Sequence, residues 1–119
     1  MATNSYIRKH APKTEPVATL TGSADAIDIS IGDIFILNRT AAVNSATLAA
    51  PTAKTDDGRT IWVMNGTTQA NTITVTGGLG QSGGGYTTLT MLAVVAANAT
   101  LRAYNGAWFL VGSYGITVT

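Results

Sequence analysis

The sequence predicts an all-β fold: a compact antiparallel β-sandwich, jelly-roll or barrel-like domain carrying an extended N-terminal arm. Three observations lead there. Short apolar segments alternate with Thr, Ser or Asp, turn-forming residues separate them at regular spacing, and no stretch sustains a helical period. Eight to ten short strands are expected.

Residues 1 to 16 form the expected arm, because they mix basic and polar groups, show no period, and contain Pro12 and Pro16, which disfavour helix. The β-domain is expected over residues 17 to 119. In its first part, Val17, Thr19 and Thr21 alternate with Ala18 and Leu20, Ile27, Ile29 and Ile31 alternate with Asp28 and Ser30, and residues 34 to 37 are apolar. Residues 41 to 50 are alanine-rich, but Asn44, Ser45, Thr47 and Pro51 weaken a helix and favour a strand near residues 46 to 49. Further strands are expected over residues 60 to 65, 71 to 76, 87 to 95, 99 to 104 and 107 to 113. Asn105-Gly106 supplies a type I′ hairpin turn between the last two, since such a turn needs positive φ at both central residues. The closing Gly115-Ile-Thr-Val-Thr119 echoes residues 71 to 76, so the tail pairs either in its own sheet or on a neighbour's edge.

At 119 residues the chain is one domain, large enough to bury a core without disulfides, and it has no cysteine. Only 11% of residues are charged, against roughly 25% in ordinary soluble domains. From Thr60 onward the one ionisable side chain apart from tyrosines is Arg102, and all six acids lie between Glu15 and Asp57. A surface so weakly charged is poorly protected against association, which points to ordered self-association. A net charge of +1 gives no basis for nucleic-acid binding. The first ten residues lack the apolar core of a signal peptide, and the longest apolar run, residues 91 to 97, is too short to span a bilayer, so a protein used without secretion or membrane insertion is expected.

The motifs argue mainly against catalysis. Gly78-Leu-Gly-Gln-Ser-Gly83 matches a dinucleotide-binding pattern, yet a strand follows where a helix is needed and no downstream acid is available for a ribose. Six glycines, Gly77, Gly78, Gly80, Gly83, Gly84 and Gly85, are read instead as a flexible loop or one in close backbone contact, suited to packing near a symmetry axis or another chain. His10 is the single histidine and lies in the arm, away from any strand-borne Ser or Asp. Asp25, Asp28, Asp33, Asp56 and Asp57 sit in turn-like contexts, which favours structural roles over a paired-carboxylate or calcium site. Asn-x-Thr triplets at 38, 65 and 98 are the chance matches of a chain with 20 threonines. No enzyme, cofactor or metal is expected.

Two constellations remain. Trp62, Trp108 and Phe109 lie in apolar segments and are expected to anchor the core, the two tryptophans from opposite sides. Arg8, Lys9, His10 and Lys13 belong either to a solvated terminus or, with Tyr6 and Ile7 as apolar anchors, to an arm that docks on an acidic groove of a partner protein.

Four segments together, residues 46 to 53, 58 to 65 (Gly-Arg-Thr-Ile-Trp-Val-Met-Asn), 71 to 76 (Asn-Thr-Ile-Thr-Val-Thr) and 104 to 113 (Tyr-Asn-Gly-Ala-Trp-Phe-Leu-Val-Gly-Ser), resemble a module of tailed-bacteriophage structural proteins found in head decoration or head-fibre proteins and in fibre and spike tips. The chain departs from that pattern at Ala50, where Leu-Pro is usual, and lacks an acid before the Gly-x-Trp turn. The resemblance implies a non-enzymatic virion component, a homotrimer on the capsid surface assembled in the host cytoplasm, whose arms contact the major capsid protein. A decoration, or cement, protein fits first because no fibre shaft is present; the alternative is a tail-fibre or spike tip module that binds a host receptor or glycan.

Overall fold

The computed structural model describes residues 16–83 and 85–119. The arm residues Tyr6, Ile7, Arg8, Lys9, His10 and Lys13, and Gly84 of the glycine tract, lie outside the described residues. Within them the fold is all-β, with nine strands: β1 (Val17–Leu20), β2 (Ile34–Leu37), β3 (Ser45–Leu48), β4 (Thr60–Asn65), β5 (Thr72–Val75), β6 (Thr88–Met91), β7 (Asn98–Tyr104), β8 (Ala107–Tyr114) and β9 (Ile116–Val118). One 3₁₀ turn, Gly80–Ser82, interrupts them. Among the described residues no helix is long and apolar enough to cross a membrane.

A five-stranded sheet runs β1-β2-β4-β7-β8 and a four-stranded sheet runs β3-β5-β6-β9. The sheets are mixed rather than purely antiparallel: β1 with β2, β2 with β4, and β3 with β5 pair in parallel. Parallel neighbours need a long crossover, and a helix usually supplies it. Here the crossover passes through the opposite sheet. The chain runs from β1 to a bridge at Ala26, back to β2, across to β3, back to β4 and across to β5, so three turns of a flattened coil stack on one another. From β6 the direction reverses. β6 pairs antiparallel with β5, β7 with β4, β8 with β7 and β9 with β6, so a reversed segment closes the coil. The tail therefore pairs within its own sheet.

Both sheets turn one face inward, and period two assigns the residues. Phe35, Leu37, Ile61, Val63, Ala99, Leu101, Ala103 and Trp108 from the larger sheet meet Ala46, Leu48, Ile73, Val75, Leu89 and Met91 from the smaller. Trp108 is fully buried, and its indole Nε1 donates to the Ala49 carbonyl at 2.8 Å, satisfying the one polar atom on a large apolar body. At roughly 25 cal/mol per Å² of apolar surface removed from water, this layer is the main source of stability.

Three sequence expectations are corrected. Trp62 and Phe109 do not join Trp108 in the core: Trp62 lies between inward-pointing Ile61 and Val63, and Phe109 follows Trp108, so alternation sends both to the outer face of the larger sheet. Residues 27 to 31 alternate like a strand but form a turn, because the Asp28 carboxylate accepts hydrogen bonds from Ser30 N (2.9 Å) and Ser30 Oγ (2.6 Å). The strand expected over 87 to 95 stops at Met91, after which the Val94 amide bonds the Leu92 carbonyl (2.7 Å) and the chain turns back. The Asn105-Gly106 turn forms as the sequence predicts, with φ of 50° and 79°.

Candidate functional site

The first polar feature lies inside the molecule, at the corner where the larger sheet hands the chain to the smaller. Asn44 and Asn71 immediately precede β3 and β5, Asn65 ends β4, and all three are fully buried. The Asn44 backbone amide donates to Asn71 Oδ1 (2.8 Å), and Asn71 Nδ2 donates to Asn65 Oδ1 (2.9 Å). Asn44 Nδ2 reaches Asp25 Oδ2 (2.9 Å) in the first turn of the coil, and Asn65 Nδ2 reaches the Gln69 and Leu92 carbonyls (2.7 and 3.2 Å). These side chains form a polar spine across successive corners. No buried side-chain nitrogen or oxygen among the described residues lacks a partner, so the spine is satisfied and stabilising.

The carboxylates hold turns. Asp25 accepts from the Gly22 amide (2.7 Å), Asp56 from the Thr52 amide (2.7 Å), and Asp57 from the Lys54 and Asn105 amides (3.2 and 2.8 Å). Asp33 pairs with Arg59 Nε at 2.6 Å, while the same guanidinium bonds the carbonyls of Ile29 and Gly32, stapling the 28–33 loop to the start of β4. The two hydrogen bonds from Ser30 hold the exposed Asp28 carboxyl below its ordinary pKa. Among the described residues no three of His, Cys, Asp or Glu gather where one ion would bind them.

The outer faces of the two sheets differ. On the smaller sheet Ser45, Thr72, Thr90 and Thr117 stand in one cross-strand row, and Thr47, Thr74 and Thr88 in the next. On the larger sheet the rows are Val17, Ile34, Trp62, Thr100 and Gly112, then Thr19, Ile36, Met64, Asn98 and Tyr114. Trp62 is half-buried there and donates from Nε1 to Asn98 Oδ1 (3.2 Å). Ile34, Ile36, Trp62 and Met64 are each half-buried there, and an apolar sheet face left partly open to solvent suits a contact surface.

The same face ends in a groove at the β7–β8 hairpin. Arg102 stands directly opposite Phe109, and Tyr104 follows Arg102 by two residues on the same side. Arg102, Tyr104 and Phe109, with Gly58, Ala103 and Val111, line a hollow of about 480 Å³. A second hollow of about 310 Å³ shares Tyr104 and Phe109 and is floored by Gly77, Gly78, Leu79, Gly80 and Gly83. The two rings lie 6.5 Å apart at 51°. A side chain at Gly80 would overlap the Phe109 ring, so glycine is required for the ring to seat. Gln81 fixes the rim: its Nε2 donates to the Leu110 carbonyl (2.9 Å) and its Oε1 accepts from the Leu110 amide (3.2 Å).

Of the residues singled out from sequence, the fold thus gathers Phe109, Gly77, Gly78, Gly80 and Gly83 at one groove, keeps Trp108 beneath it in the core, and places Trp62 on the same outer sheet face. Arg102 and Tyr104 join that groove through strand register alone. The spine asparagines had a sequence signal: each sits at an end of a strand whose neighbours alternate. Compared with known proteins, the chain matches no family model and no curated relative.

Proposed function

We propose that the protein is a non-enzymatic structural component of a tailed-phage virion, a capsid decoration protein that acts by packing as a homo-oligomer. The observation that supports this reading is the outer face of the five-stranded sheet, where Val17, Ile34, Ile36, Trp62 and Met64 form a continuous apolar surface. Arg102 at its end is the sole formal charge among the outward residues of its five strands. Association through such a face removes apolar area from water without stranding a charge. In this reading the basic residues of the arm contact the major capsid protein, and the trimer is the expected oligomer.

Light scattering over a range of concentrations tests the first part. The wild-type chain is expected to associate, and Ile36→Glu or Trp62→Glu to give a folded monomer with an unchanged far-UV spectrum; a monomeric wild type overturns the packing argument. Cosedimentation with phage capsids tests the second. Removal of residues 1 to 16 is expected to abolish capsid binding and leave the oligomer intact, and full binding by the truncated chain overturns the role of the arm.

The groove favours a second reading, a fibre or spike tip module binding a surface glycan. Exposed Tyr104 beside Phe109 offers ring faces of the kind that stack on sugars. Glycan-array binding without capsid affinity would support it over decoration.

A further inference from the structure

We propose that the hairpin groove binds an acidic saccharide, with the Arg102 guanidinium receiving the carboxylate and the Tyr104 and Phe109 rings receiving the sugar body. The proposal rests on the glycan-binding reading and narrows it to one chemical class.

Arg102 carries the argument. It is the one ionisable side chain other than tyrosine between Thr60 and Thr119, it is exposed, and among the described residues its guanidinium makes neither an ion pair nor a hydrogen bond. The chain's other described arginines are engaged: Arg59 with Asp33 and two carbonyls, and Arg39 with the Val43 carbonyl at 3.0 Å. Arg102 projects between Thr60 and Phe109 in the cross-strand register, so neither neighbour offers it a countercharge. The Asp57 carboxylate takes its hydrogen bonds from the Lys54 and Asn105 amides rather than from Arg102. A planar fork of donors left without an acceptor at the mouth of an apolar hollow fits a ligand carboxylate in bidentate geometry.

The surroundings select the rest of the ligand. Roughly 300–1,000 Å³ is the usual range for small-molecule sites, and the two adjoining hollows of about 480 and 310 Å³ lie within it. Phe109 is seated against Gly80 and so is in place before a ligand arrives, while the exposed Tyr104 ring stands 6.5 Å from it and can close on a sugar face. A single cation is too little for a nucleic-acid backbone, which needs several. An acidic peptide would bind in extended form by adding to the free edge of β8, but Gln81 already occupies both backbone groups of Leu110 there. A uronic-acid residue needs only the ring faces and the guanidinium.

The test titrates the full-length chain with tetragalacturonate by isotope-edited NMR, with neutral maltotetraose and a tetraglutamate peptide as comparisons. Tetragalacturonate is expected to shift the amides of residues 102 to 110, to bind at least about tenfold more tightly than maltotetraose, and to lose about tenfold or more with Arg102→Gln, the loss expected for one charged hydrogen-bonded pair. Tyr104→Ala is expected to weaken both sugars, and circular dichroism checks that each variant is folded. Equal affinity for both sugars, or an Arg102→Gln variant that binds like wild type, overturns the acidic-ligand assignment and leaves the glycan reading standing. Binding of neither sugar overturns both. Tighter, Arg102-dependent binding of tetraglutamate replaces the saccharide with an acidic peptide.

Discussion

Replacing Asn71 with alanine is the sharpest perturbation of the polar spine. Asn71 is fully buried, its Oδ1 is the acceptor for the Asn44 amide, and its Nδ2 is one of the donors to Asn65 Oδ1. Asn65 Oδ1 retains the Thr67 amide and hydroxyl at 3.0 and 3.2 Å, so it tolerates the loss. The Asn44 amide has no replacement, and a buried orphaned donor costs about 1–3 kcal/mol on top of roughly 1 kcal/mol for the second bond. The expected penalty is about 2–4 kcal/mol, a large share of the 5–15 kcal/mol typical of a domain, with a fall in Tm on the order of 10 °C. Urea denaturation followed by tryptophan fluorescence reads it directly. Asn71→Asp sharpens the test, because the carboxylate keeps an acceptor for Asn44 but sets an oxygen against Asn65 Oδ1. Burial raises that carboxyl's pKa, so its penalty grows as pH rises above about 3.9, and below that value the protonated acid donates and recovers stability relative to alanine. An Asn71→Ala variant within about 0.5 kcal/mol of wild type would refute the spine as a stabilising element.

Four other outcomes are expected. Gly106→Ala places a Cβ at φ 79° and should cost about 1–2 kcal/mol in thermal or urea unfolding. Trp108→Ala should cost about 3–5 kcal/mol, whereas Trp62→Ala, on the outer face, should change monomer stability far less; comparable losses would contradict their opposite placement. Gly80→Val should displace Phe109 and weaken groove binding, with about 1–3 kcal/mol of overpacking seen in melts. Ser30→Ala should lower stability slightly at neutral pH, with the difference shrinking as pH falls below the ordinary carboxylate range: the Ser30 hydroxyl helps hold the folded-state pKa of Asp28 down, so its contribution is present above the ordinary carboxylate value and vanishes as pH falls through the folded one.

Strand positions were legible because period two and turn residues are local signals. β4 spans residues 60 to 65 as expected, and Asn105-Gly106 makes the hairpin. Pairing direction was not legible, since alternation looks the same in a strand whichever way its neighbour runs. The absence of helices argued against parallel pairs only on the assumption that crossovers are helical, and this chain routes them through the other sheet. Trp62 and Phe109 were misplaced for a related reason: apolar residues fill both parities of β4 and β8, so composition could not say which face was inside. The strand expected at residues 27 to 31 failed because one side chain, Asp28, competes for the backbone at Ser30. The groove joins residues from three segments, Gly58, the glycine tract and the last hairpin, and only register brings them together.

The stacked coil also has an evolutionary consequence. Each of its turns rests on the one before through the same kind of corner asparagine or aspartate, so its stability is close to a sum of nearest-neighbour terms, as in repeat proteins. Inserting one more turn with an asparagine at its corner would lengthen the molecule while leaving the existing layers undisturbed. The reversed strands β6 to β9 are what forbid such growth at that end, because they turn the last parallel layer into an antiparallel lid. Variation in height is therefore open to this architecture between residue 17 and about residue 60 and closed in the strands that follow, where the groove is built.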